Sequence, residues 1–527
     1  MSKFYITTSI PYVNAPPHVG HALEFLQADA IARWRRMQGD DVFFLTGTDE
    51  HGAKIARAAE TAGKKPQEFV DEQSQRFRDL LGRLTVEPSD SIRTSDKTRH
   101  WPGAIEMWKR IASRGDIYKG IYKGLYCVGH EAFVTEKDLK NGICEDHGKP
   151  PEHIEEENYF FRLSEYGEEI RRHIEEGYLE IVPKSRANEA LAFLAEGLED
   201  ISFSRPAKDI SWGIPVPDDP SNTMYVWCDA LSNYVSALGF GSPSDERMQN
   251  YWPCDIHVIG KDILRFHAII WPAMLLSADL PLPKRIFVHG FIHSGGKKMS
   301  KTLGNVIDPF TLIEKYGTDV VRYVLLCHVP AFGGDTDLTT ERFHELYMAH
   351  LANGIGNLVS RVTAMVERYF EGRLMRPLDV LLASVPFKTD IDLLHDKERD
   401  LKIGSITSEW FIREETMPTY LNAWAEYRLD GALEEVMRLF RMLDRYIQDY
   451  EPYKLVQQDR EQTQAVLWSL VSSIHCAAVL LVPFMPHTAN AICEVLGVSL
   501  KEAAENFESR SEYVVTKKEA LFPRIEK

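Results

Sequence analysis

Hydrophobic and polar positions follow two rhythms along the first third of the chain. The run FYITTSI (4–10) has the β-branched and aromatic content of a strand. Val19, Leu23, Leu26, Ala30, Ile31 and Trp34 then recur at helical spacing, which predicts a helix over 18–37. In DVFFLTGTDEHG the apolar run Val42 to Leu45 is unbroken, as in a strand buried on both faces of a parallel sheet, and it leads into a polar loop. Helical patterns follow to about residue 84 and again over about 100–114. This alternation predicts an α/β fold with a doubly wound parallel sheet.

Between about 116 and 215 the pattern breaks into short, aromatic-rich segments, which predicts a small inserted module. The α/β rhythm returns with DIHVIGKD (255–262) and RIFVHGFI (285–292) as strands. ILRFHAIIWPAMLLSA is the helix between them, with a kink expected at Pro272. From roughly 340 the strand signals vanish. Periodic apolar stretches such as LANGIGNLVSRVTAMVERYF and LEEVMRLFRMLDRYI predict a helical bundle. The expected organisation is a first half-sheet over 1–115, an insertion over 116–215, a second half-sheet over 216–325, a connecting segment over 326–345, and an all-α domain over 346–527.

Composition narrows the function classes. A net charge of -17 over 527 residues excludes a general polyanion-binding surface, so any nucleic-acid contact must use local basic patches. The seven cysteines, an odd number spread from Cys127 to Cys493, do not read as a disulfide framework, and a reducing cytoplasm is the expected setting. The N-terminus MSKFYITTSI lacks the charged and apolar regions of a signal peptide. VLWSLVSSIHCAAVLLVPF (466–484) has the length of a membrane span, but Ser469, Ser472, Ser473 and His475 interrupt it and Pro483 and Pro486 end it. A buried bundle helix is expected there, and no membrane partner.

Ligands of an open parallel sheet sit beyond the carboxyl ends of its strands, so the polar residues after each predicted strand carry the chemistry. After the first come Ile10, Pro11, Tyr12 and Asn14, then His18, Gly20 and His21 at the helix start. A helix N-terminus suits phosphate, a glycine admits close approach, and two imidazoles at i and i+3 can donate to phosphate oxygens. After RIFVHGF comes GGKKMSKTLGN (295–305), a glycine-rich loop whose Lys298 and Lys301 can close over a polyphosphate and neutralise a leaving pyrophosphate.

HVGH and KMSKT, each beside a predicted strand, look like the paired signatures of class I aminoacyl-tRNA synthetases. TTSIPYVNAPPHVGHALEFLQADAIARW, FFLTGTDEHG, MYVWCDALSNY, HVIGKDILRFHAIIWPAMLL and FVHGFI closely resemble the methionyl-tRNA synthetase family, in that family's order and over most of residues 4–310. Thr302 stands where serine is usual in the lysine motif, Leu231 where many relatives have proline, and Cys228 at a position that varies. The resemblance implies a Rossmann-type catalytic domain split by a connective insertion and followed by an anticodon-binding bundle. It implies a ligase that joins methionine to tRNA(Met), the initiator included, through methionyl-adenylate. MgATP would be bound by His18, Gly20, His21, Lys298, Ser300 and Lys301, with the two histidines and two lysines as the catalytic groups. Ile10, Tyr12, Trp227, Tyr234, Asp262 and His267 would surround methionine, and Asp49 would hold its ammonium. An aromatic, mostly apolar pocket suits a polarizable thioether.

The insertion contains Cys127-x2-His130 and Cys144-x2-His147, two knuckles with the spacing of a structural tetrahedral zinc site. The family often has four cysteines there, and the paired exchange for histidine keeps zinc chemistry. In the bundle, the resemblance assigns anticodon contacts to Asn357, Arg361 and Tyr453, the last standing where the family has tryptophan; a tyrosine still stacks on an unpaired base. The chain ends soon after the bundle, so a monomer is expected. A leucine-, isoleucine- or valine-specific relative would need a larger insertion for editing. A small-molecule adenylyltransferase would need neither the knuckles nor the bundle. A catalytically dead paralogue is disfavoured by the intact histidine and lysine motifs.

Overall fold

The computed structural model describes residues 1–127, 132–134, 139–144, 148–299, 305–329, 334–386, 407–500 and 510–526. They divide into two compact units, one built on Met1–Phe291 and the other on the chain from Ile292 onward.

The first unit is organised on six parallel strands: β1 (Lys3–Thr8), β2 (Asp41–Thr48), β3 (Asp90–Arg93), β4 (Glu180–Val182), β5 (Ile256–Gly260) and β6 (Arg285–His289). Their spatial order is β3-β2-β1-β5-β6-β4. Sequence order therefore reverses between β1 and β5, and the crevice at that reversal is where such sheets place a ligand. The apolar runs account for the centre. Tyr5 and Ile6 on β1, Phe44 and Leu45 on β2, and Ile256, Val258 and Ile259 on β5 are fully buried, and the helix that follows β1 packs across all three strands. The helix expected over 18–37 is α1 (Val19–Met37), with His18 as its N-cap.

Two features depart from expectation. The stretch expected as an insertion supplies β4, the edge strand of the parallel sheet; three residues, EIV, are too few to show a period. Among the described residues, that stretch also holds a four-stranded antiparallel sheet centred on Ile117–Cys127 and Glu152–Phe161, part of a smaller one, Ser204–Pro206 with Asp219–Met224, and the helices Gly167–Glu175 and Lys184–Ala195. The helical segment between β5 and β6 opens with a 3-10 turn over Lys261–Ile263 and passes through a π-turn over Phe266–Ile270 before the α-helix Trp271–Ser277. Trp271 N–H bonds the Phe266 carbonyl five residues back, so the ladder widens just ahead of Pro272, whose ring nitrogen has no proton to offer it.

The described residues of the second unit are mainly helical, with Thr318–His328, Asn357–Phe370, Leu429–Tyr450, Arg460–Leu481 and Pro486–Val495 as long elements. Arg460–Leu481 is long and apolar enough to cross a membrane, yet 83% of its most apolar window is buried inside the fold. Fully buried Arg322 closes the chain that follows it, donating to the carbonyls of Phe484 at 2.6 Å and Pro483 at 3.0 Å. Strands do recur after 340, contrary to expectation. Arg373–Met375 pairs antiparallel with Glu512–Val514, again too short to show alternation.

Candidate active site

His18 and His21 are built into the start of α1. The His18 ring turns back so that Nδ1 accepts from Gly20 N–H at 3.1 Å, and His21 Nδ1 accepts from His18 N–H at 3.2 Å. This reciprocal cap satisfies two of the backbone donors left open at a helix start. It also stacks the rings, with centroids 3.9 Å apart and planes 25° from parallel. With both Nδ1 atoms accepting, each neutral ring carries its proton on Nε2. Burial, together with His18 and His289 nearby, holds His21 well below the usual histidine range. Gly20 has a local reason beyond ligand approach: a Cβ there would stand 2.9 Å from His18 Cε1.

Beneath this cap lies a pair that sequence reasoning missed. On α1, buried Glu24 accepts from His289 Nε2 at 3.1 Å and from Ser9 Oγ at 2.5 Å. His289 Nδ1 faces the Gly290 carbonyl at 2.9 Å, so both ring nitrogens meet acceptors and the ring is an imidazolium. Burial disfavours that charge, but Glu24 outweighs it and the pKa is raised. The only signal in the sequence was a glutamate inside the apolar face of α1.

The residues expected around an amino acid gather at the same edge. After β1, Val13 N–H bonds the Asp49 carbonyl at 3.1 Å and Asp49 N–H bonds the Pro11 carbonyl at 2.9 Å, which sets Tyr12 beside Asp49. Ile10 packs over Gly47, where a Cβ would stand 2.9 Å from Ile10 Cγ2. The Trp227 indole stacks on Phe266 at 3.6 Å and 12°. Tyr234 and His267 are buried and joined, phenol oxygen to Nε2, at 2.7 Å. Asp262 is exposed on the turn after β5, its Oδ1 close over Gly260. Against Tyr234, Trp271 Nε1–H donates to His257 Nε2 at 3.3 Å, and His257 Nδ1 faces Thr7 Oγ1 at 2.7 Å.

The TGTDEHG loop is tied down on every side. Fully buried Glu50 receives Arg93 through Nε at 2.7 Å and Nη2 at 2.9 Å, with further donors from Thr48, Ser74 and Ser95. Breaking such a pair from one side costs about 3–5 kcal/mol. Sequence reasoning singled out Asp49 in this motif and passed over Glu50 and His51.

Other expected residues belong to the inserted stretch or to the second unit, or lie outside the described residues. Lys298 belongs to a short strand of the second unit, Lys297–Lys298, paired with Ile292–Ser294; Ser300 and Lys301 lie outside the described residues. Cys127 and Cys144 are buried, while His130 and His147 lie outside the described residues. Among the described residues no three histidine, cysteine or acidic side chains could hold a metal. None of the seven cysteines, all described, forms a disulfide. In the second unit Asn357 begins the helix Asn357–Phe370, and Arg361 Nη1 donates to Asp444 Oδ1 at 2.8 Å. Tyr453 is 44% exposed and donates to Glu451 Oε1 at 2.8 Å.

Comparison with known proteins agrees with this architecture. The family described as tRNA synthetases class I (M) matches residues 4–139 and 133–363. The methionine–tRNA ligase of Thermotoga maritima is 41% identical over 512 residues, covering 96% of this chain and 77% of that protein. The one of Rhizobium meliloti is 41% identical over 503 residues, covering 94% and 92%. The crystal structure of Mycobacterium tuberculosis methionyl-tRNA synthetase in complex with methionyl-adenylate superposes with a TM-score of 0.88 at 35% identity, over 99% of this chain and 100% of that one. A parallel sheet reversing between β1 and β5, a histidine-capped helix at the reversal and relatives matched over nearly the whole length lead to one conclusion: the chain belongs to the methionine–tRNA ligase family of class I tRNA synthetases.

Proposed function

We propose that the chain activates methionine with ATP and transfers it to the terminal adenosine of tRNA(Met), the initiator included. The observation that carries the site assignment is the pair of neutral, stacked imidazoles at the start of α1, each with its proton on Nε2. Methionine's carboxylate oxygen attacks the α-phosphorus of MgATP, the bond to the bridging oxygen breaks, and pyrophosphate leaves. His18 and His21 donate to the phosphate oxygens as charge builds there, and Gly20 keeps the cap in shape. Lys298 and Lys301, with Ser300, balance the departing charge. The terminal ribose hydroxyl then attacks the activated carbonyl and AMP leaves. The protein supplies position and charge stabilisation, the larger part of catalysis in such transfers.

Asp49 faces the ammonium, while Ile10, Tyr12, Trp227, Tyr234, Asp262 and His267 enclose the rest of the amino acid. The Tyr234 proton is committed to His267, so this pair offers the thioether polarizable surface. Residues 1–115 and 216–325 form the catalytic domain, 116–215 the insertion that guides the acceptor end, and 346–527 the anticodon-binding domain with Asn357, Arg361 and Tyr453. A zinc ion would be held by Cys127, His130, Cys144 and His147; two buried thiols are fitting donors, and its role is to brace the insertion. The enzyme acts as a monomer in the cytoplasm.

Amino-acid-dependent pyrophosphate–ATP exchange without tRNA tests the reading, run with methionine, leucine, isoleucine, valine and cysteine. Exchange with methionine alone is expected. Exchange with another amino acid would overturn the specificity, and none with any would overturn the activation site.

A further inference from the structure

One buried carboxylate joins the loop that carries Asp49 to the helix that carries Trp227. His51, two residues after Asp49, brings Nδ1 to 2.6 Å from Asp229 Oδ2, and Asp229 lies two residues after Trp227. The second oxygen, Oδ1, meets His100 Nε2 at 2.7 Å, and His100 Nδ1 is 2.9 Å from Ser236 Oγ. His51, Asp229 and His100 are exposed by 2%, 1% and 0%. A carboxylate only accepts, so each imidazole presents an N–H to it: the His51 proton facing Asp229 is on Nδ1 and that of His100 on Nε2. Burial pushes Asp229 up, but His51 and His100 outweigh it and its pKa falls to about 2.

The partners of this carboxylate are fixed in turn. His100 is the residue before the helix Trp101–Ser113, and His51 packs against the edges of Trp101 and Trp212 at 6.0 and 5.5 Å. Trp212 Nε1–H donates to the Glu50 carbonyl at 2.5 Å, and Gly52 N–H donates to the Trp212 carbonyl at 3.0 Å. The loop 49–52 is thus pinned from outside by Trp212 and from inside by Asp229.

We infer that Asp229 is a positioning residue that sets the width of the amino-acid site, holding the Asp49 loop through His51 at a fixed distance from the helix that carries Trp227. The inference rests on the assignment of Asp49 to the ammonium and Trp227 to the side chain of methionine. Asp229 does not itself touch the substrate. Its loss lets the two walls separate, which weakens methionine binding and leaves the nucleotide site at α1 as it was.

Pyrophosphate exchange on the full chain, with methionine and ATP varied separately, tests this in Asp229→Asn, His51→Ala, His51→Asn and Trp227→Ala. An asparagine amide reaches the position of the histidine Nδ1–H, so His51→Asn keeps the donor to Asp229 and His51→Ala does not. Asp229→Asn and His51→Ala are expected to raise the methionine KM about tenfold, the scale of one lost charge-assisted hydrogen bond, with the ATP KM within about twofold. His51→Asn is expected to recover most of that loss. A KM rise for both substrates together, or His51→Asn no better than His51→Ala, overturns the inference. So does an unchanged methionine KM in the Asp229 and His51 variants while Trp227→Ala raises it. An unchanged methionine KM in Trp227→Ala overturns the site assignment instead. Should Asp229→Asn fail to fold, the two His51 variants decide alone.

Discussion

The phenol of Tyr234 donates to Nε2 of His267 over 2.7 Å because the Nδ1–H of the same ring donates to the Ile263 carbonyl at 3.0 Å. Burial lowers His267 to about 4, so the ring is neutral and both of its nitrogens are committed. Tyr5, from the centre of β1, holds the arrangement by donating to the Tyr234 carbonyl at 2.7 Å. A polar pair is thereby fixed inside the apolar core with no proton left over.

Removing the phenol oxygen with Tyr234→Phe leaves His267 Nε2 without a donor in an enclosed site, a loss of about 1–3 kcal/mol. The melting temperature is expected to fall and the methionine KM to rise, with the ATP KM unchanged. An unaltered methionine KM would remove this pair from the amino-acid site.

Two buried histidines make stability depend on pH in opposite senses. His267 has a folded pKa of about 4 against an ordinary 6.5, so the unfolded chain binds the extra proton and stability is lost as pH falls from about 6.5 toward 4. His289 is raised by Glu24, so its contribution is full below about 6.5 and is lost as pH rises through the raised value. The melting-temperature difference between the protein and His289→Gln is expected to be largest at pH 6 and to shrink toward pH 9. A difference that grows with pH would mean the ring is neutral in the fold.

What was legible in the sequence is what periodicity and motif can carry. β1, α1, β2, β5 and β6 follow their apolar runs because each buries most of its length. β4 and the pair Arg373–Met375 with Glu512–Val514 did not, since three residues have no period to detect. The buried polar pairs were hidden for a different reason. Glu24 with His289, and Asp229 with His51 and His100, join residues more than a hundred positions apart, and only the fold brings a donor to each acceptor. Even Gly20, legible as a ligand-approach glycine, has a second cause in the His18 ring, which folds back over it only in the capped helix.

Gly20→Ala separates that second cause from the stability of α1. An alanine is a better helix former than glycine by about 1 kcal/mol, so the helix itself gains. Its Cβ, 2.9 Å from His18 Cε1, forces the ring out of the cap. Adenylation is expected to slow by about a hundredfold, the scale of a misplaced catalytic group, with the melting temperature little changed because the lost cap offsets the helix gain. Unchanged exchange kinetics would show that the His18 orientation is immaterial to the reaction.

Metal analysis addresses the knuckles directly. One zinc per chain is expected after extensive dialysis, lost in Cys127→Ser and in Cys144→Ser, with a lowered melting temperature and methionine activation without tRNA largely retained. Metal-free protein of the same stability as its cysteine variants would leave the knuckles as ordinary turns.

The activating residues and the anticodon-reading residues are expected to fail at different steps. Tyr453 is exposed, hydrogen-bonded to Glu451, with the Lys454 ammonium 5.9 Å from its ring. Stacking of one base on an aromatic ring is worth about 1–3 kcal/mol, so Tyr453→Ala is expected to raise the tRNA KM by about 5- to 150-fold. Adenylation should be spared, because no phosphate chemistry is assigned to the second unit's helices. Tyr453→Trp keeps a stacking surface and should keep the tRNA KM. Lys301→Ala is expected to do the reverse, slowing pyrophosphate exchange while the tRNA KM holds. Both alanine variants failing at adenylation would contradict the division between an activating site and an anticodon-reading one.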